Sequence, residues 1–353
     1  MKGKTVLKMV LIPSLLLLFL FGFTMLEAFG TSEDAAATVT DQFEIVRNSV
    51  DNYLSTITPQ VMTAEKLYQE AFEDQNKDLL LVDIRASGDF LNGNIRGSIS
   101  IPYADTANPK KLKNLPPDKT LVVIDYNGHW AAQTAASWNM LGFKAIPLQY
   151  GIQSWTDDLA ATNYDSLPEG TLQCPLVSES EAKEDTLSDS NLPELKVPAK
   201  TGPELIQLLT ATYLDRNYRG YVDAEDICAE LRSDSPDDSF IVDIRAPEHY
   251  ALGHIRSSVN ISLNDLAKTD ILKLLPKSKK LIIVGYDGMD ASFGVRALVT
   301  MGYNAVALKY GLSFWNDELV PSTSPLHPEL IPEYFELTPL NYLPPSTGPA
   351  GCG

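Results

Sequence analysis

Short apolar runs without a polar position alternate with amphipathic stretches along this chain, and the whole alternation occurs twice. Leu79-Leu80-Leu81-Val82 and Leu121-Val122-Val123-Ile124 read as strands buried on both faces. Before the first of them, Thr63 to Phe72 has a helical period, with Thr63 as cap and Leu67, Ala71 and Phe72 on the apolar face. Ala131 to Leu141 predicts another helix, which Gly142 stops by accepting a left-handed backbone. Ala145 to Leu148 predicts a third strand, and Gln153 to Leu159 a last short helix. The order returns with Phe240-Ile241-Val242, Leu281-Ile282-Ile283-Val284 and Ala305 to Leu308. Strands separated by helices imply an α/β fold, a parallel sheet with helices on both faces.

The second set is a copy of the first at a constant spacing of 160 residues. Val82-Asp83-Ile84-Arg85-Ala86 becomes Val242-Asp243-Ile244-Arg245-Ala246. The same offset, without a gap, pairs Tyr53-Leu54 with Tyr213-Leu214, Gly128 with Gly288, Tyr150-Gly151 with Tyr310-Gly311, and Trp155 with Trp315. One register held from Glu44/Glu204 to Leu159/Leu319 means a duplicated domain, residues 44–160 and 204–320.

The remaining segments differ in composition. Lys2, Lys4 and Lys8 precede an uncharged apolar run from Met9 to Leu26, and Ala28-Phe29-Gly30 offers small residues at a cleavage site. Residues 1–30 thus predict a signal peptide and a periplasmic or secreted protein; the competing reading is a membrane anchor over residues 9–26. Residues 161–202 are rich in Ser, Glu, Asp and Pro and predict an acidic linker that buries too little to repay its ordering entropy. Residues 321–353 form a Pro-rich tail, which Tyr334, Phe335 and Tyr342 are placed to dock in part. The formal charge of −18 argues against nucleic acid or an anionic membrane surface as partner. There are three cysteines. Cys228, in a helix predicted over Asp223 to Leu231, is expected as a buried inert thiol, whereas an oxidising compartment opens a Cys174–Cys352 disulfide.

Around the duplicated strands the chain resembles the rhodanese family. That family's pattern is V-D-x-R, G-H-I-x-G, a strand entering C-x-x-G-x-R, and a G-G-x-x-x-W ending. Asp83/Arg85 and Asp243/Arg245 match the first element. Gly253-His254-Ile255 matches the second, and Gly93-Asn94-Ile95-Arg96-Gly97 matches it with Asn for His. Gly151 with Trp155 and Gly311 with Trp315 match the last. The resemblance implies two tandem rhodanese-like domains. In the resembled enzymes a loop thiolate, helped by converging backbone N–H groups and an Arg, carries the transferred sulfur. The corresponding loops here read Asp125-Tyr126-Asn127-Gly128-His129-Trp130 and Gly285-Tyr286-Asp287-Gly288-Met289-Asp290, with Asp125 and Gly285 at the cysteine position. Neither holds Cys or Arg, so the resemblance implies no catalytic residue by the family mechanism.

A helix N-terminus favours a nearby anion by about 0.3–1 kcal/mol, whereas a carboxylate about 4 Å away opposes it by roughly 1–4 kcal/mol. Repulsion by Asp125, or by Asp287 and Asp290, is therefore expected to keep an external anion out, unless these carboxylates accept the loops' own N–H bonds. Asp125 is read as filling the anion nest itself. Tyr126, His129 and Trp130 suggest an aromatic mouth, and Tyr286, Asp287 and Asp290 an acidic one suited to a cation. Asp83/Arg85 and Asp243/Arg245 read as structural charge pairs, and His254 as bonded to backbone near its turn. No metal-ligand spacing or cofactor fingerprint is present. The leading expectation is an exported binding or scaffold module without sulfurtransferase activity, acting on a protein partner in an exported electron-transfer or sulfur-metabolism system. The alternative is sulfur, selenite or tellurite oxyanion handling through a thiol outside the loops, with Cys352 the candidate.

Overall fold

The computed structural model describes residues 39–158, 166–178, 191–233, 239–320 and 334–338. The apolar start, Tyr342 and Cys352 lie outside the described residues. The first half holds a four-stranded parallel sheet of β1 (Leu79–Asp83), β2 (Ile99–Ser100), β3 (Thr120–Ile124) and β4 (Lys144–Pro147), in the order β2-β1-β3-β4. The second holds β5 (Tyr221–Val222), β6 (Phe240–Asp243), β7 (Val259–Asn260), β8 (Leu281–Val284) and β9 (Ala305–Leu308), in the order β5-β9-β8-β6-β7. The fifth strand survives in the first half as a single parallel bridge, Met62 to Leu148, at the repeat position of Val222 and Leu308. Central β3 and β8 are buried along Leu121–Ile124 and Leu281–Val284, as their unbroken apolar runs require.

The helices refine the sequence expectations. Thr63 caps a helix over Ala64–Tyr68 by accepting the Lys66 N–H at 3.2 Å, and the chain continues as a wider π-turn over Gln69–Glu73. The helix expected from Ala131 begins at His129, because Gly128 takes a left-handed backbone (φ 92°). The helix expected over Gln153 to Leu159 is instead a 3-10 turn at Gly151–Ser154, entered through left-handed Tyr150.

Two helices not predicted tie the halves together. The Val39–Thr56 helix buries Phe43, Val46, Val50 and Leu54 in the core of the second half, against Leu205 and Leu263. Asn264 Nδ2 donates to the carbonyls of Leu54 and, at 3.1 Å, Ile57 beyond the end of that helix. Its repeat counterpart, Gly202–Leu214, packs Tyr213 and Leu214 on Ala107 of the first half, and Gln207 Nε2 donates to the Ala107 carbonyl at 3.1 Å. Each half therefore lends its leading helix to the other.

The described parts of residues 161–202 are strapped onto the second half, not extended in solvent. Leu167, Cys174 and Leu195 are buried, the Leu172 and Cys174 N–H groups donate to Phe314 and Trp315, and Val177 bridges His254. Cys174 is bonded to Cys228 as a disulfide, correcting both the inert Cys228 thiol and the Cys174–Cys352 pairing. Closing a loop with a sequence separation of 54 limits the unfolded chain by about 4 kcal/mol, which offsets a part of the strap's ordering entropy. In the tail, Phe335 stacks on Tyr68 at 4.3 Å, and Thr338 bridges Asn94.

Candidate functional site

The loops that follow β3 and β8 stand where central parallel strands end and a helix begins, so their N–H groups converge. In the first loop the nest is filled from within. Buried Asp125 accepts the Gly128 N–H at 2.6 Å through Oδ1 and the Trp130 N–H at 2.9 Å through Oδ2. Asn127 Oδ1 accepts the His129 N–H at 3.2 Å. In the second loop the carboxylate comes from the opposite end. Asp290 curls back, its Oδ2 accepting the Tyr286 N–H at 2.8 Å and its Oδ1 the Ala291 N–H at 2.7 Å. A Cβ on Gly285 would lie 2.0 Å from Asp290 Oδ1, so the side-chain space at that position is already taken. Asp287 accepts the Met289 N–H at 3.0 Å.

These acids are held out of water, and their pKa values rise. Desolvation pushes Asp125 up to about 6, against the pull of the Gly128, Ala131 and Trp130 N–H groups. Desolvation, then the Asp287 charge, pushes Asp290 up to about 7; desolvation also raises Asp287. The expected repulsion of an external anion is thus replaced by occupation, since the carboxylates accept the loops' own N–H bonds.

Neither expected mouth forms. Tyr126 gives its hydroxyl to Asp89 and accepts the Ala86 N–H at 3.1 Å, and Trp130 lies flat on Tyr103 at 4.6 Å with Nε1 donating to the Arg219 carbonyl. His129 is fully buried and turned into the other half. Its Nε2 accepts the Tyr310 N–H at 3.2 Å, which places the proton on Nδ1, 2.9 Å from Ser292 Oγ. Burial lowers its pKa to about 3, so it stays neutral. In the second loop Asp287 is buried and Asp290 half-buried, both turned to backbone N–H groups, while Tyr286 meets His249. That is no open cation site, and among the described residues no group of three or more acids, His or Cys is placed to hold a metal ion.

The two loops face each other. A Cβ on Gly128 would meet Met289 Sδ at 2.5 Å, and one on Gly288 would meet His129 Cε1 at 2.7 Å, so each glycine admits the other loop's side chain. Asp83 and Arg85 sit below the first loop, fully buried, with Arg85 Nη2 2.8 Å from Asp83 Oδ2 and donating to the Gly93 carbonyl at 2.7 Å. Asp243, Arg245 and Gly253 repeat this at 2.8 and 2.7 Å. His254 stacks on Tyr250 and approaches its carbonyl at 3.0 Å. Sequence reasoning missed the residues that join the halves. Ser292 and Tyr310 receive His129, and Arg296 reaches the Gln133 carbonyl and the Tyr103 hydroxyl. Only the repeat of Tyr150-Gly151 as Tyr310-Gly311 marked one of them.

Residues 63–158 and 225–318 each match the family described as Rhodanese-like domain. The adenylyltransferase and sulfurtransferase uba4 of Ogataea parapolymorpha is 34% identical over 84 residues, 24% of this chain and 21% of that protein. The chain thus spans about a fifth of that relative's length. The thiosulfate sulfurtransferase GlpE of Pseudomonas fluorescens is 29% identical over 90 residues, 25% of this chain and 81% of that protein. Among solved structures, a thiosulfate sulfurtransferase from Pseudomonas aeruginosa aligns over 83% of this chain and 49% of its own, with 17% identity and a TM-score of 0.27.

Proposed function

Because the chain belongs to the Rhodanese-like domain family in both halves, we propose that it is an exported tandem member without thiosulfate sulfurtransferase activity, serving as a binding or scaffold module. The reading is carried by the occupied nests. The N–H groups that would hold an anionic sulfur donor are bonded to Asp125 in one loop and Asp290 in the other. A sulfur nucleophile is needed to carry a sulfane atom, and the loops supply carboxylates and a glycine instead. The loops also close on each other through His129 and Met289, which favours a fixed surface over a turnover site. Export is supported by the apolar segment from Met9 to Leu26 and by the Cys174–Cys228 disulfide, a bond that persists in oxidising compartments. The partner is then a protein met outside the cytoplasm.

The test is thiocyanate formation from thiosulfate and cyanide by the purified full chain. No formation above the protein-free rate is expected. Transfer that persists after Cys174, Cys228 and Cys352 are all replaced by Ser overturns the reading, and transfer lost only on Cys352→Ser moves the chemistry to that thiol.

A further inference from the structure

The second half contains a cavity of about 710 Å³ that the loops do not touch. Its walls are the Glu194–Val197 strap, the last turns of the Gly202–Leu214 helix, and the end of the Met289–Thr300 helix. Gly220, Lys280 and Asn304, which line it, immediately precede β5, β8 and β9, whereas the Gly285 loop follows β8. The cavity therefore opens toward the end of the sheet where strands begin, opposite the loops.

Its chemistry contrasts with the rest of the molecule. In a chain of formal charge −18, the lining carries Lys196, Arg216, Arg219, Lys277 and Lys280 against one carboxylate, Glu194, which pairs with Lys196 at 3.0 Å. Arg219 is engaged by Asp223 at 3.1 Å. Behind the wall stands another cation: Arg296 is fully buried, stacks 4.6 Å from the Tyr213 ring, and has no carboxylate within ion-pair distance among the described residues. Its Nη1 and the Tyr213 hydroxyl, both buried, find no hydrogen-bond partner among the described residues. The walls between the cations are apolar and aromatic, with Leu209, Val299, Tyr221 and Tyr303, and Tyr218 stands 54% exposed. A volume of this size suits a small organic molecule, and a low-dielectric wall backed by an uncompensated cation concentrates positive potential inside it.

We propose that this cavity binds an amphipathic aromatic anion, an aryl phosphate or a close relative, with its ring among the tyrosines and its charge toward Arg216 and Lys277. The proposal stands whether or not the loops transfer sulfur.

Calorimetric titration of the full chain with 1-naphthyl phosphate, inorganic phosphate and 1-naphthol separates the contributions of ring and charge. The aryl phosphate should bind at least about tenfold more tightly than either of the others and weaken several-fold as salt shortens the screening length. Arg216→Glu with Lys277→Glu, both exposed, should weaken it at least about tenfold at an unchanged melting temperature; Lys110→Glu, on the first half, should leave it unaltered. No binding, equal binding of 1-naphthol or of inorganic phosphate, or indifference to the double variant each overturns the proposal.

Discussion

The two loops reach one arrangement by opposite routes. In the first, the acid stands at the start of the loop and points forward, and Trp130 occupies the far position. In the second, Gly285 vacates the start so that Asp290, at the repeat position of Trp130, can fold back. What both preserve is an acceptor inside a ring of backbone donors, because buried N–H groups left without a partner are costly. Position within the loop is free; satisfaction of the nest is not. The routes differ in one respect, since Asn127 is neutral where its repeat counterpart Asp287 is acidic and opposes Asp290.

That asymmetry is open to measurement by urea unfolding. The largest expected effect is for Asp125→Ala, which leaves the Gly128 and Trp130 N–H groups unbonded and should cost about 3 kcal/mol. Asp290→Ala also orphans two donors but relieves repulsion from Asp287, so it should cost less, about 1–2 kcal/mol. Equal costs would end the contrast drawn from Asp287.

Next is Gly285→Ala. Its Cβ would overlap Asp290 Oδ1 at 2.0 Å, and the loss should be about 1 kcal/mol. In the Gly285→Ala, Asp290→Ala double variant the overlap is gone, so the total should fall below the sum of the single losses by about 1 kcal/mol. Strict additivity would show that Asp290 does not occupy the space above Gly285.

The smallest effect is in pH dependence. Asp125 and Asp290 have folded pKa values, about 6 and about 7, above those of unfolded carboxyls, so the folded state binds more protons and their contribution is lost as pH rises through those values. His129 runs the other way: its folded pKa, about 3, lies below the unfolded value, and its contribution is lost as pH falls through about 6.5. Between pH 6.5 and 8 the acids outweigh a residual gain of roughly 0.4 kcal/mol from His129, whose unfolded imidazole is half protonated at the lower end. Stability should fall by roughly 0.8 kcal/mol through Asp290 and roughly 0.2 kcal/mol through Asp125. Asp290→Asn should flatten the slope more than Asp125→Asn does, and the reverse order would misassign the titrating loop.

Much of the fold was legible along the chain. The unbroken apolar runs gave β1, β3, β4, β6, β8 and β9 to within a residue, because strands buried on both faces leave no polar position. The short edges β2, β5 and β7 were missed, being two residues each and only partly buried. The Val39–Thr56 helix was missed although Phe43, Val46, Val50 and Leu54 carry a helical period, because its apolar stripe belongs to the other half's core. Composition misread the strap between the halves, where one disulfide and backbone pairing hold a polar segment in place. Residue identity alone placed no thiol in either loop and put an acid, Asp125, in one and Gly285 in the other where the resemblance expects one.

Sequence by itself thus determined the duplication, the parallel sheets, and the residue types available to each loop, since all three follow from local pattern and register. Only the tertiary structure decided that Asp290 replaces a side chain at Gly285, that His129 turns into the opposite half, and that five cations of an acidic chain share one cavity with buried Arg296 behind its wall. Each of these depends on which groups distant in the chain are brought within a few ångströms, a distance that spacing along the sequence does not specify.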